Sequence, residues 1–175
     1  MPARGTFVNV PYIFQKGTKM KLLFKQRLFS WFDSYDIYNE HGETVYTVKG
    51  ELAWGHKLNI YNANGVHVGT VKEEIFTFLP RFKIIINGEE MGCIRKEFTF
   101  LRPVFTLDYK NWTVEGDFFD WDYEVTDGYG HTIITASRQL NWTDTFVIEY
   151  DDKANELTAL MIVLAIDAAK CSQSK

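Results

Sequence analysis

The stretch Asp151–Lys170, DDKANELTALMIVLAIDAAK, decides the fold of this chain. Between Leu157 and Ile166 every residue except Thr158 is apolar, and on a helix these side chains would point in all directions. A helix that is apolar on every side has to be surrounded by protein or by lipid. Because the apolar run covers about ten residues and a bilayer needs about twenty, the sequence predicts a buried core helix over about residues 152–170.

A pattern with a period of about 22 residues repeats through the rest of the chain. Each unit begins with a polar residue, an apolar anchor and a nearby aromatic residue. The anchors are Leu28, Leu52, Ile75, Phe98, Phe118 and Leu140. Each later part of a unit alternates like a strand and meets a turn, as at Asn39–Gly42, Asn62–Gly65, Asn87-Gly88 and Asp127-Gly128. Asn and Gly tolerate the positive φ that such turns require. Chance spacing of turns in an antiparallel protein is the alternative to a true repeat.

Alternation within the units indicates one inward face, formed by Tyr35, Ile37, Leu58, Ile60, Phe82, Ile84, Ile86, Phe105, Leu107, Tyr109, Tyr123, Val125, Phe146 and Ile148. Six units of two strands give about twelve strands, and closing so large a sheet removes its edges. A barrel of about eight strands is already filled by its own side chains, so a wider one has room for a helix. We therefore predict an all-β fold with one buried helix, a closed antiparallel barrel of about twelve strands around the C-terminal helix.

The chain divides into a short arm and one domain. Pro2, Pro11 and Gly17 interrupt residues 1–19, which we interpret as an N-terminal arm with a possible strand at Val10–Gln15. Residues 20–175 form the predicted single barrel domain. A chain of 175 residues and 20.4 kDa fits one domain with a substantial core.

Several local pieces of the sequence resemble the LURP-one-related family over about residues 20–170. They are the string Lys25–Ser30, the Ile-Tyr-Asn-x-x-Gly turns at Ile37 and Ile60, Phe76–Pro80, Phe98–Phe100 and the closing apolar helix. The resemblance implies the fold of the tubby C-terminal domain, a twelve-stranded closed barrel with a hydrophobic helix through it, which is also attributed to phospholipid scramblases. Tubby domains bind phosphoinositides, so the resemblance implies a lipid ligand. The tubby lipid-contacting motif is not matched here, and no residue role is carried over from it.

Charge is unevenly distributed along the chain. Residues 1–110 hold fifteen Lys and Arg against eleven Asp and Glu, whereas residues 111–175 hold four against twelve. The candidate lipid-headgroup residues are Lys16, Lys19, Lys21, Lys25 and Arg27. The last four share parity, so an extended strand would put them on one face, where each would gain about 1 kcal/mol near an anionic surface. The alternatives are an edge strand protected by lysines, or pairing with the acidic C-terminal half.

No catalytic motif is present, because the sequence has no GxSxG, P-loop or HExxH pattern. The acidic run Asp117–Asp127 fails as an EF-hand, since Val125 stands where glycine is required. On a strand, Asp120, Asp122 and Glu124 would line one solvated face, and a cation site is the alternative. The two cysteines form no CxxC pair. We expect no catalytic residues, no metal site and no cofactor.

The sequence therefore favours a non-catalytic interaction module that binds anionic membrane lipid or phosphoinositide headgroups through the basic strand. One alternative is a protein-binding or structural scaffold that uses exposed aromatic residues such as Trp31, Trp54 or Trp121. Another is a scramblase-like membrane-associated protein. The net charge of −4 argues against nucleic acid as a partner. Without the continuous apolar region of a signal peptide, the expected location is the cytoplasm, with peripheral association to a membrane. The oligomeric state is left open.

Overall fold

The computed structural model describes residues 19–25, 34–118, 120–139 and 145–172, and of Lys25 and Leu52 the backbone alone. The predicted arm therefore lies outside the described residues, apart from Lys19. The strands are β1 Met20–Lys25, β2 Ser34–Asn39, β3 Thr44–Ala53, β4 Gly55–Asn62, β5 His67–Glu73, β6 Arg81–Ile86, β7 Glu89–Lys96, β8 Val104–Leu107, β9 Trp112–Asp117, β10 Asp122–Thr126, β11 Thr132–Gln139 and β12 Thr145–Tyr150. A single 3-10 turn, Lys153–Asn155, leads into the helix α1, Glu156–Ser172.

The sheet is a closed barrel in which each strand pairs antiparallel with its neighbours in sequence. Closure is made by β1 and β12, whose register pairs Met20 with Tyr150 and Lys25 with Thr145. Closing the sheet satisfies the backbone groups that two edge strands would otherwise expose. The prediction of a twelve-stranded antiparallel barrel around one C-terminal helix is confirmed.

The helix fills the barrel along most of its length. From Thr158 to Ala169 no side chain is more than 7% exposed. The wall contributes the alternate residues predicted to face inward, including Ile37, Ile60, Phe82 and Val125, all fully buried. The α-helix begins at Glu156 rather than near residue 152, because Asp152 caps the preceding 3-10 turn by accepting a hydrogen bond from the Ala154 N–H at 2.9 Å.

Three hairpin turns share one hydrogen-bonding scheme, which supports the repeat. In each, a side-chain oxygen accepts bonds from the backbone N–H groups two and four residues later, at 2.9 to 3.0 Å. The acceptors are Asn39, Asn62 and Asp127, and the glycines with positive φ are Gly42, Gly65 and Gly130. The expected positive φ at Gly128 is therefore wrong. Gly128 instead packs against Asn111, whose Nδ2 would lie 2.3 Å from an added Cβ.

The up-and-down order places alternate connections at opposite ends of the barrel. We call one the turn end, formed by residues 40–43, 63–66, 87–88, 108–111 and 127–131. The other is the aromatic end, formed by the turn at Trp54, the loops 74–80 and 97–103, and the described residues of 118–121. The helix begins at the turn end, where Glu156 accepts a hydrogen bond from Tyr46. It finishes at the aromatic end, where Lys170 lies over the Trp121 ring.

Candidate functional site

Along β1, the side chains of the predicted basic strand alternate between the inner and outer faces of the barrel, as expected. Leu22 and Phe24 are buried, while Lys21 and Leu23 are partly exposed on the outer face. Lys21 lies directly opposite Glu149 of β12, and their charged groups are 2.9 Å apart. The hydrogen bond to Glu149 raises the pKa of Lys21, and the same bond lowers the pKa of Glu149. Lys19 lies 4.0 Å from the same carboxylate. Two predicted lipid-binding cations thus share one acidic partner, which is the pairing alternative weighed above.

The side chains of the other three predicted cations lie outside the described part of the chain. Lys16 and Arg27 lie outside the described residues, and only the backbone of Lys25 is described. Because Met20 pairs with the last residue of β12, Lys19 and Lys21 lie towards the turn end of the barrel. Whether the five residues form one surface patch stays a prediction.

The aromatic end exposes large apolar side chains on three successive connections between strands. The exposed fractions are 86% for Trp54, 94% for Phe76, 93% for Phe78, 69% for Phe98, 92% for Phe100 and 96% for Leu101. The connections are neighbours in the barrel, because β3 to β8 pair in sequence order. Trp54 and Phe76 line one open groove of about 530 Å³, and the rings of Phe98 and Phe100 meet edge to face at 5.5 Å.

Two cations accompany these apolar residues. Lys72 stands one residue before the end of β5 and lines the same groove as Trp54, and Arg102 directly follows Leu101. Both are exposed, and neither makes an ion pair or a side-chain hydrogen bond within the part of the chain that the structure describes. Hydrogen bonds from Lys57 and Asn59 are the main causes that lower the pKa of Glu51, and the charge of Lys72 adds only a minor effect at longer range. These charges are available to an external anion.

The expectation that Trp121 is an exposed partner contact is wrong. Its side chain is 7% exposed and packs on Phe146 at 4.2 Å and on Phe24 at 5.5 Å between ring centroids. The backbone of Trp121 has φ +56°, and this left-handed conformation belongs to the turn that joins β9 to β10. The ammonium of Lys170 lies 4.4 Å from the ring centre. Trp54 is exposed as expected, and Trp31 lies outside the described residues.

A buried acid lies beneath the aromatic end. Asp167 is 7% exposed, and burial raises its pKa to about 7 against the smaller opposing effect of Lys170. Burial also raises the pKa of Tyr123 and Tyr35, with a lesser contribution from Asp167. Neither Asp167 Oδ2 nor the Tyr123 hydroxyl has a hydrogen-bond partner among the described residues. Asp167 thus lies in the second-last turn of the helix at a buried site just inside the aromatic end.

The acidic run is split between a turn and a strand. Asp122 and Glu124 are exposed on β10 as predicted, whereas Asp120 lies in the preceding turn and donates its backbone N–H to Asp117 at 3.1 Å. Within the described ranges no three His, Cys, Asp or Glu side chains are placed to share a metal ion.

Comparison with known proteins identifies the family. A family model described as LURP-one-related matches residues 20–167. The chain belongs to the LURP-one-related family. This LURP-one-related chain is 27% identical over 148 residues to "Uncharacterized protein YxjI" of Bacillus subtilis strain 168, covering 83% of this chain and 91% of that protein. An X-ray structure of an Arabidopsis thaliana protein matches it with a TM-score of 0.60 at 15% identity, covering 85% of this chain and 91% of that one. The structural match shows the shared tubby-like fold.

Four of the exposed aromatic residues of this LURP-one-related domain belong to a motif that occurs twice in its sequence. The sequence Phe-Thr-Phe-Leu occurs at residues 76–79 and again at 98–101, in the opening part of two successive units. This duplicated motif is the sequence signal for the exposed surface, which the distribution of charge along the chain does not indicate. No helix within the described ranges is both long and apolar enough to span a bilayer.

Proposed function

We propose that this domain is a non-catalytic interaction module that binds an anionic membrane surface with its aromatic end. One observation carries the proposal: exposed Phe, Trp and Leu side chains share that end with two exposed cations, Lys72 and Arg102, that have no acidic partner among the described residues. Aromatic side chains favour the interface between water and hydrocarbon. Each cation near an anionic leaflet contributes about 1 kcal/mol.

The basic strand is a second candidate for the same ligand. Lys16, Lys19, Lys21, Lys25 and Arg27 remain a proposed headgroup-binding set, with peripheral attachment at the cytoplasmic side of a membrane. Two observations favour the aromatic end as the main contact in this proposal. Lys19 and Lys21 share Glu149, so headgroups would compete with an existing ion pair. They also lie towards the turn end, apart from the exposed aromatic residues.

A protein-binding scaffold is the second candidate function. The observation that favours it is the same group of exposed aromatic residues, because exposed apolar patches often mark protein interfaces. The scramblase-like alternative would need the helix to leave the barrel, and that helix is buried from Thr158 to Ala169.

Vesicle co-sedimentation tests the proposal. The protein is mixed with vesicles of phosphatidylcholine alone, or containing phosphatidylserine or phosphoinositide, at low and physiological salt. We expect binding to the anionic vesicles that weakens as salt screens the charges. Two matched double reversals then compare the candidate surfaces: Lys72→Glu with Arg102→Glu, and Lys19→Glu with Lys21→Glu.

The two double reversals have different predicted outcomes. We expect the Lys72 and Arg102 reversal to abolish binding and the Lys19 and Lys21 reversal to leave most of it. The opposite order would move the membrane contact to β1. Absence of binding to every vesicle at both salt concentrations would contradict the proposed function and leave the protein-binding scaffold.

A further inference from the structure

The geometry points to the loops 74–80 and 97–103 as a preformed pair of wedges that enter the headgroup–acyl boundary of a bilayer. This inference rests on the proposed function and adds the depth and the residues of the contact. The inserting side chains are Phe76, Phe78, Phe98, Phe100 and Leu101.

The two loops are equivalent elements of adjacent repeats. Both contain Phe-Thr-Phe-Leu followed by proline, directly as Pro80 in the first loop and after Arg102 as Pro103 in the second. Each connects an odd-numbered strand to the next even-numbered one, so both project from the same end of the barrel. The loops therefore present duplicated apolar tips side by side.

Backbone hydrogen bonds hold each loop closed at its base. Glu74 N–H donates to the Arg81 carbonyl at 2.9 Å, and Glu97 N–H donates to the Val104 carbonyl at 2.8 Å. A third bond, from Lys96 N–H to the Pro80 carbonyl at 2.9 Å, joins the two loops. The loops are therefore ordered before any partner arrives.

Threonine side chains add a further constraint inside each loop. The Thr77 hydroxyl donates to the Glu74 carbonyl at 2.9 Å, and the Thr99 hydroxyl donates to the Arg102 carbonyl. In each loop the threonine hydroxyl and one backbone carbonyl are thus hydrogen-bonded within the loop, while the aromatic side chains remain in solvent. Because the loops need little ordering on contact, insertion would forfeit little conformational entropy.

The grooves beside the tips favour lipid over an apolar protein partner. One groove of about 530 Å³ has Lys72, Glu73, Glu74 and Glu90 among its lining residues. A second of about 490 Å³ includes Arg102, Asp117 and Asp122. A protein that covered all the exposed aromatic residues would also have to bury these charges, which is costly without matched partners. Fluid lipid can surround separate tips while the grooves stay among hydrated headgroups.

The positions of Lys72 and Arg102 agree with insertion of the loop tips into the headgroup–acyl boundary. Arg102 follows the tip residue Leu101, and Lys72 lies at the base of the first loop. With the tips below the headgroups, both cations would lie at headgroup level, where anionic phosphate and carboxylate groups are found. Apolar tips and flanking cations are the combination expected of interfacial anchoring.

Site-specific fluorescence tests the insertion in the full chain. Phe78→Cys and Leu101→Cys, each in a Cys171→Ser background, are labelled with an environment-sensitive dye and mixed with phosphatidylserine-containing vesicles. Cys93 is buried and is left in place. Tyr129→Cys is the matched control, because Tyr129 is 90% exposed but lies at the turn end. We expect a blue shift, and quenching by nitroxide-labelled acyl chains, at positions 78 and 101 and not at 129.

Paired substitutions give an independent readout. Phe78→Ser with Phe100→Ser should lower the vesicle partition coefficient about tenfold or more, because each removes an inserted ring. Val66→Ser with Tyr129→Ser, which replaces exposed apolar residues at the turn end, should leave it unchanged. Thermal unfolding of both pairs should match the parent, since all four residues are exposed.

The outcomes separate this inference from the function it rests on. Vesicle binding with no dye response at 78 or 101, and no loss in the Phe pair, would overturn insertion while leaving surface binding intact. Absence of vesicle binding by the unsubstituted chain would overturn both the loop insertion and the proposed membrane-binding function. The exposed loops would then be tested as a binding site for a protein partner.

Discussion

The ammonium of Lys170 lies 4.4 Å from the centre of the Trp121 ring and joins the last turn of the central helix to the turn between β9 and β10. Trp121 in turn packs on Phe24 of β1 and Phe146 of β12, the two strands that close the barrel. One aromatic side chain thus contacts the helix end and the barrel seam. Its role is structural rather than in partner contact.

Trp121→Ala should destabilise the fold by about 3–5 kcal/mol, because it would leave a large cavity at the barrel seam. The matched control is Trp54→Ala, which removes a side chain that is 86% exposed and should change stability by no more than about 0.5 kcal/mol. Urea denaturation followed by far-UV circular dichroism measures both. Equal effects from the two substitutions would contradict the buried position of Trp121.

Asp167 should make stability depend on pH in a direction unusual for a carboxyl group. Burial raises its pKa to about 7 in the folded state, whereas an unfolded Asp titrates near 4. The folded state therefore binds the proton more tightly, and the contribution of this group to stability is lost as pH rises from about 4 through about 7. Tyr35, Tyr123 and Lys170 are the titratable groups that influence it or are influenced by it.

Asp167→Asn removes that titration. We expect the variant to gain stability over the parent at pH 8, by a few kcal/mol at most, and to lose most of that gain at pH 4. Asp122→Asn, at an exposed position on β10, is the control. Urea midpoints at several pH values give the comparison. A gain that is constant across the range would show that desolvation of the Asp167 carboxylate is not its source.

Glu156 should be important for stability at the helix start. It is 4% exposed, and its carboxylate accepts hydrogen bonds from Tyr46 at 2.8 Å, from Tyr150 and from Lys153. Glu156→Ala leaves the two phenol groups without that acceptor and should cost about 1–3 kcal/mol. Glu115→Ala, at an exposed position on β9, should be close to neutral. Thermal unfolding of the two variants measures this difference in stability, and equal stability of the two would contradict the role of Glu156.

Leu160→Asp should prevent folding, because it places an unpaired charge inside the barrel at a position that is fully buried. Leu160→Ala should instead fold with a loss of about 2–5 kcal/mol. Expression of both variants, followed by size-exclusion chromatography and circular dichroism, separates the two effects. A soluble and cooperatively unfolding Leu160→Asp protein would contradict the buried helix.

The architecture followed from patterns that are local in sequence. An all-round apolar helix and repeated alternation required a closed wall, and the inward residues were predicted because a strand turns every second side chain to one face. The partner of Lys21 was not predictable in the same way. Glu149 lies 128 positions away and becomes its neighbour only when β12 closes against β1.

Loop side chains escaped prediction for a different reason. Phe118 and Trp121 turn inward while Phe76 and Phe100 turn outward, although all four occupy the opening part of a repeat unit. Their direction depends on loop conformations such as the positive φ of Trp121, which alternation does not encode. The sequence therefore contained the repeated motif of the candidate site but did not predict that its side chains would be exposed together on one surface.

Hydrogen–deuterium exchange of the unsubstituted chain, with and without phosphatidylserine-containing vesicles, tests the central claim most directly. The account predicts slower exchange on vesicle addition in the loops 74–80 and 97–103 and around Trp54, with unchanged exchange at 127–131. Protection confined to β1, or the same exchange in all these segments with and without vesicles, would contradict it.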